Sequence, residues 1–168
     1  MTWQKALVVI FLFYFLALLQ GSFFAQFSLF GAVPSLVFIL FFLSVFFGKK
    51  DNYLIIFLAF IAGIFLDLFS PYTYLGVSIA LLLLVGFLLK KTQAMLKNRG
   101  DNNPFIYFAP LFLVYLVFYE IFLKVVLRYL DPSRSLIVFD SLFAIGIVYN
   151  LILATIGFWI FKKYGKGI

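Results

Sequence analysis

Four ionisable residues stand inside long apolar runs of this chain: Asp67, Glu120, Lys124 and Asp140. A charge at the centre of a membrane helix costs ~2.5 to 3.5 kcal/mol on insertion scales, so each calls for a partner, an interfacial position or a function. Glu120 and Lys124 are spaced i, i+4 with the acid first, the order in which such a pair neutralises itself on a helix. Asp140 falls in the first turn of the last apolar run, where the helix dipole stabilises an acid. Structural pairing near the interface accounts for the set, and so does a functional polar pocket open to the outer face. Hydrolysis is the chemistry that paired acids could do. A membrane aspartyl protease needs two facing aspartates, and Asp67 lies in Gly63-Ile64-Phe65-Leu66-Asp67, which is not the Gly-x-Gly-Asp pattern of that class.

Histidine and cysteine are both absent. Disulfides, thiolate nucleophiles, most zinc sites, haem ligation by histidine and histidine-dependent hydrolysis go with them. No serine or lysine placement supplies a nucleophile with a base. The sequence therefore points away from an enzyme, with no catalytic, metal or cofactor-binding residue expected.

The elements that carry these residues follow from composition. Of 168 residues, 66% are hydrophobic and 11% charged, with 26 phenylalanines, too few polar groups to cover a water-soluble core. In lipid the backbone must satisfy its own hydrogen bonds, which leaves helices or a closed barrel, and the apolar runs here are continuous rather than alternating. An all-α membrane protein of about six transmembrane helices is expected, a single integral domain over residues 1–168. The runs are Ala6 to Phe24, Val33 to Phe47, Tyr53 to Phe69, Tyr74 to Leu89, Phe105 to Leu127 and Leu136 to Phe161. Several are shorter than the ~20 residues that span a bilayer, so thinning or burial among longer helices is expected. Pro34 suits the first turn of the second helix. The first run is too long for a secretory h-region and is expected to stay as a helix.

Charge sets the topology. Lys5, Lys49, Lys50, Lys90, Lys91, Lys97, Arg99, Lys162, Lys163 and Lys166 all fall on one side of a six-helix path, whereas the connections at Gln26 to Pro34 and Ser70 to Thr73 carry no basic group and only the last outer connection, with Arg128, Asp131 and Arg134, does. By the positive-inside rule both termini are cytoplasmic. The net charge of +7 thus reports orientation in a bilayer and not nucleic acid binding. The connection from Lys90 to Pro104 divides the chain into two halves and ends in a cluster of turn residues, Asn98 to Pro104.

Small residues at four-residue spacing let membrane helices approach closely. Three stripes have that form: Ala17, Gly21, Ala25 and Ser28; Ala59, Gly63, Asp67 and Ser70; Gly146, Asn150, Ala154 and Gly157. Internal packing is the plain reading of all three. A face for a partner helix is the alternative, for which the first stripe is the best candidate.

The segments Gly31-Ala32-Val33-Pro34-Ser35-Leu36, Gly63-Ile64-Phe65-Leu66-Asp67-Leu68-Phe69 and Leu75-Gly76 resemble the MreD family of rod shape-determining membrane proteins. The motif positions are Pro34, Gly63, Asp67, Leu75 and Gly76, with Ser35 standing where the family often has an acid. The resemblance implies a noncatalytic component of the bacterial cytoplasmic membrane that binds the bitopic protein MreC. Through MreC it would meet MreB, RodA and a class B transpeptidase in peptidoglycan synthesis. It also implies a fold similar to the substrate-binding S components of energy-coupling-factor transporters. Such a component would dock a coupling protein through small residues such as Ala17, Gly21 and Ala25, and remains the alternative function. In physical terms Gly63 permits close helix approach, Asp67 can bond the following turn, and Gly76 lets the next helix enter tightly.

Overall fold

The structure is a computed structural model and describes residues 3–28, 31–48, 51–70, 74–97, 104–132 and 141–164. These are all-helical: α1 (Trp3–Gly21), α2 (Phe23–Gln26), α3 (Leu36–Phe47), α4 (Asn52–Phe69), α5 (Val77–Lys97), α6 (Pro104–Leu130) and α7 (Ser141–Tyr164). Five spans are long and apolar enough to cross a bilayer, the first running through α1 and α2. The chain is a multi-pass membrane helical bundle. Phe11, Phe60, Val114 and Ile152 lie on its exposed surface, as expected where the surrounding solvent is hydrocarbon.

The sixth apolar helix, α3, has only 12 residues, a length of about 18 Å at 1.5 Å per residue. It forms the centre of the bundle. Residues 37–43 are buried without interruption, the pattern of a helix that is hydrophobic all round and enclosed by others. It packs on α1, α4, α5 and α7 and meets α6 through aromatic rings. Phe42 stands edge-on to Phe112 at 5.2 Å and to Phe108 at 5.8 Å, and Phe38 lies 4.9 Å from Tyr119. Edge-to-face and offset pairs each add about 0.5–1.5 kcal/mol beyond burial. That gain matters in lipid, where association releases little apolar surface from water.

Several boundaries differ from those the sequence suggests. The first run breaks at Ser22, whose hydroxyl donates to the Leu18 carbonyl at 2.5 Å, so α1 ends at Gly21 and a single turn, α2, follows. Residues 33–35 are not helical. Pro34 precedes the Ser35 N-cap of α3 rather than sitting in its first turn, and its carbonyl accepts from the Leu36 amide at 3.2 Å. Helix α5 continues past Leu89 to Lys97, because no helix breaker occurs before Asn98. Most of the stretch expected as a loop after Lys90 is therefore helical. The expectations for Asp140 and the turn residues 98–103 fall outside the described residues.

Candidate functional site

The tightest junction in the bundle lies between α4 and α5. A Cβ built on Gly63 would stand 2.6 Å from both the Cα and the N of Ile79, so only glycine allows the two backbones this separation. One turn later on the same face, Asp67 is buried with its carboxylate against the start of α5. Its Oδ2 accepts from the Gly76 amide at 2.6 Å and its Oδ1 from the Ser78 amide at 3.2 Å. A helix start leaves its first amides without internal acceptors. Here a carboxylate from the preceding helix supplies them, and its charge lies at the positive end of the α5 dipole. Gly76 has φ +98°, a left-handed conformation that costs other residues roughly 1–2 kcal/mol. Behind this turn the Tyr119 hydroxyl donates to Ser78 Oγ at 3.1 Å, which ties α6 to the same junction.

Glycine, aspartate and glycine of the motif thus converge on one structural staple. Leu75 is adjacent in the chain but 73% exposed, and Pro34 belongs to a different place, the start of α3.

The ends of α3 are closed by side chains from three other helices. At its start, the Ser35 amide donates to Asn150 Oδ1 at 2.7 Å and the Val37 amide to Gln20 Oε1 at 3.4 Å. At its end, Lys90 Nζ donates to the Gly48 carbonyl at 2.7 Å and Gln93 Nε2 to the Phe46 carbonyl at 3.1 Å. A cation at the C-terminus and neutral amides at the N-terminus let a helix too short for the bilayer end inside the bundle with the backbone groups at its ends bonded. Gln20, Lys90 and Gln93 have no motif to mark them. The available signal was an amide or amine set in or beside an apolar run, which in lipid must find a partner.

Two of the small-residue stripes pack mostly inward, with Ser70 bordering a cleft and Gly146 a cavity. Ala59, Gly63 and Asp67 turn toward α5. On α7, Ala154 is buried and a Cβ on Gly157 would meet Leu43 at 2.6 Å, so that face seats α3. The first stripe borders a cleft of about 350 Å³ between α1, α3 and α4 that Phe65 and Phe69 also line: Ala17 is buried at its inner end, and Gly21 and Ala25 are exposed beside it. Ser28 is half-buried beyond α2.

The three intramembrane charges among the described residues do not line one cavity. Asp67 belongs to the α4–α5 staple. Glu120 and Lys124, one turn apart on α6, instead open into a separate cavity of about 210 Å³ bounded by α7 and by Ala32 and Val33. Lys124 Nζ stands 5.2 Å from the centre of the Phe143 ring, within cation–π range. No protein-family model, curated protein or solved structure matches this chain.

Proposed function

We propose that this chain is a noncatalytic membrane scaffold of the bacterial cell-elongation machinery, acting in rod-shape determination and peptidoglycan synthesis as an MreD-like protein that binds MreC. The carrying observation is the Gly63, Asp67 and Gly76 staple. The motif on which the resemblance rests is engaged in holding two helices together, with both carboxylate oxygens accepting from backbone amides, and that is what a rigid scaffold requires rather than what catalysis requires. On this reading the chain crosses the cytoplasmic membrane six times, α3 included, with both termini in the cytoplasm.

Purification of the full chain in mild detergent from its own cells should recover an MreC-like bitopic protein and no bound vitamin. Recovery of a stoichiometric vitamin with an ATPase-coupled membrane subunit, and no MreC-like protein, would favour the transporter S component instead. That second reading is supported by the cleft beside Gly21 and Ala25 on the first span.

Orientation is tested separately. Reporters fused after Lys50, after Arg99 and at the C-terminus should all read cytoplasmic, and tags at Ser28 and Thr73 external, because the connections at 26–34 and 70–73 carry no basic residue whereas ten of the thirteen basic residues lie on the other side. An external reading at any of the three fusion sites would refute six crossings.

A further inference from the structure

The cleft between α1, α3 and α4 is polar at one end and apolar at the other. Its polar end lies where two helices stop: Gln20 is the last residue but one of α1, and Ser70 follows the last residue of α4. From there the lining runs inward along Ala17, Val37, Phe65 and Leu66. The aromatic wall is braced, because the Tyr14 ring on α1 lies 5.8 Å from that of Phe65 and 6.3 Å from that of Phe69. The 18 residues of α4 make a helix about 27 Å long, close to the ~30 Å of a hydrocarbon core, so its end stands near the level at which lipid chains join their headgroups. Gln20 completes the polar end. Its Oε1 accepts from the Val37 amide, which orients the side chain and leaves Nε2 to donate elsewhere. Among the described residues Nε2 has no acceptor, and none of their unpartnered side-chain nitrogens or oxygens is buried, so this nitrogen is open at the cleft that Gln20 lines. An amide without an acceptor is costly in hydrocarbon, and what fills the cleft must therefore bring one.

We infer that this cleft is a binding site for one glycerolipid, with the upper part of an acyl chain between Ala17, Val37 and Phe65 and an ester carbonyl accepting from Gln20 Nε2. The size fits a chain. An apolar cavity of ~150 Å³ takes up benzene, so about 350 Å³ has room for on the order of twelve carbons. A partner helix fits less well: one turn of it, ~10 Å across and ~5.4 Å high, already exceeds that volume, and its backbone carbonyls are bonded within the helix. An ester carbonyl has no such partner. It lies just below the headgroup, where the bilayer offers few donors, and it is joined to the chain that the apolar part of the cleft receives. The site goes beyond the scaffold role and does not depend on it.

The test varies the ester. The full chain, purified in mild detergent, is given equal amounts of a diester phosphatidylcholine and of its diether analogue, which has the same chains and no carbonyl, and native mass spectrometry identifies the lipid it retains. One lipid per chain should be held, diester over diether by about fivefold, the size of a single net hydrogen bond. This preference is read on the unaltered chain and needs no variant. Gln20→Glu, as a carboxylate, keeps an oxygen for the Val37 amide and removes the donor, so it should hold the two lipids equally. Gly21→Leu and Ala25→Leu fill the cleft from its exposed side, where a Cβ on Gly21 meets nothing nearer than a Phe69 ring carbon at 3.9 Å. Both should release the lipid while the size-exclusion profile reports a folded chain. Equal retention of diester and diether by the parent chain, no lipid surviving purification, or a preference unchanged in Gln20→Glu overturns the inference. So does a co-purified membrane helix that Gly21→Leu displaces while lipid retention persists.

Discussion

Replacing Asp67 with alanine should give the largest loss of folded protein of any single polar substitution in the chain. The amides of Gly76 and Ser78 would lose their acceptor together, in a buried setting where water cannot replace it. A buried donor left unmade costs about 1–3 kcal/mol, so about 2–6 kcal/mol is expected for the two. Asp67→Asn retains one oxygen acceptor and forfeits the charge at the α5 dipole, so it should fall between. Thermal unfolding in detergent, read by fluorescence-detected size exclusion, should rank aspartate above asparagine above alanine. An alanine variant as heat-stable as the parent would show that the carboxylate does not hold the start of α5.

Gly63→Ala is the second large effect, and its size comes from what the new methyl group meets. The obstacle is Ile79 backbone at 2.6 Å, which cannot rotate aside as a side chain can. α4 and α5 must separate, at a cost of roughly 3 kcal/mol, the upper part of the range for overpacking. The separation would also pull Asp67 from the amides it bonds, so Gly63→Ala and Asp67→Ala should combine to less than the sum of their separate effects. Gly21→Ala is the matching control, because its nearest neighbour is a Phe69 ring carbon at 3.9 Å, ordinary van der Waals contact. The same melting measurement should leave it unchanged within error. Equal losses at positions 63 and 21 would contradict the packing described for α4 and α5.

The helical class and the positions of most helices were legible because continuous apolar runs in lipid leave the backbone few other choices. The use of Asp67 was also readable in outline: an acid one turn past a glycine, shortly before a glycine-led helix, has the following turn within reach. The closure of α3 was not. Its partners lie 17 residues away at Gln20, 42 at Lys90 and 115 at Asn150, separations that no local pattern encodes. Lys90 was readable as a topology marker, and its second use, on the Gly48 carbonyl, depends on α5 running on as helix past the apolar stretch. The i, i+4 spacing of Glu120 and Lys124 correctly put them on one face of α6. The sequence could not indicate that this face opens on a cavity, nor that Asp67 lies elsewhere. A stripe of small residues likewise reads the same in sequence whether it seats a helix, as at Gly157, or borders open space, as at Gly146 and Gly21.

The scaffold role is tested most directly by depleting this protein from cells that carry it while following cell shape and vitamin uptake together. Loss of rod shape with uptake unchanged is the result expected of a noncatalytic partner of MreC. Cells that keep their rod shape but lose uptake of a vitamin would contradict it.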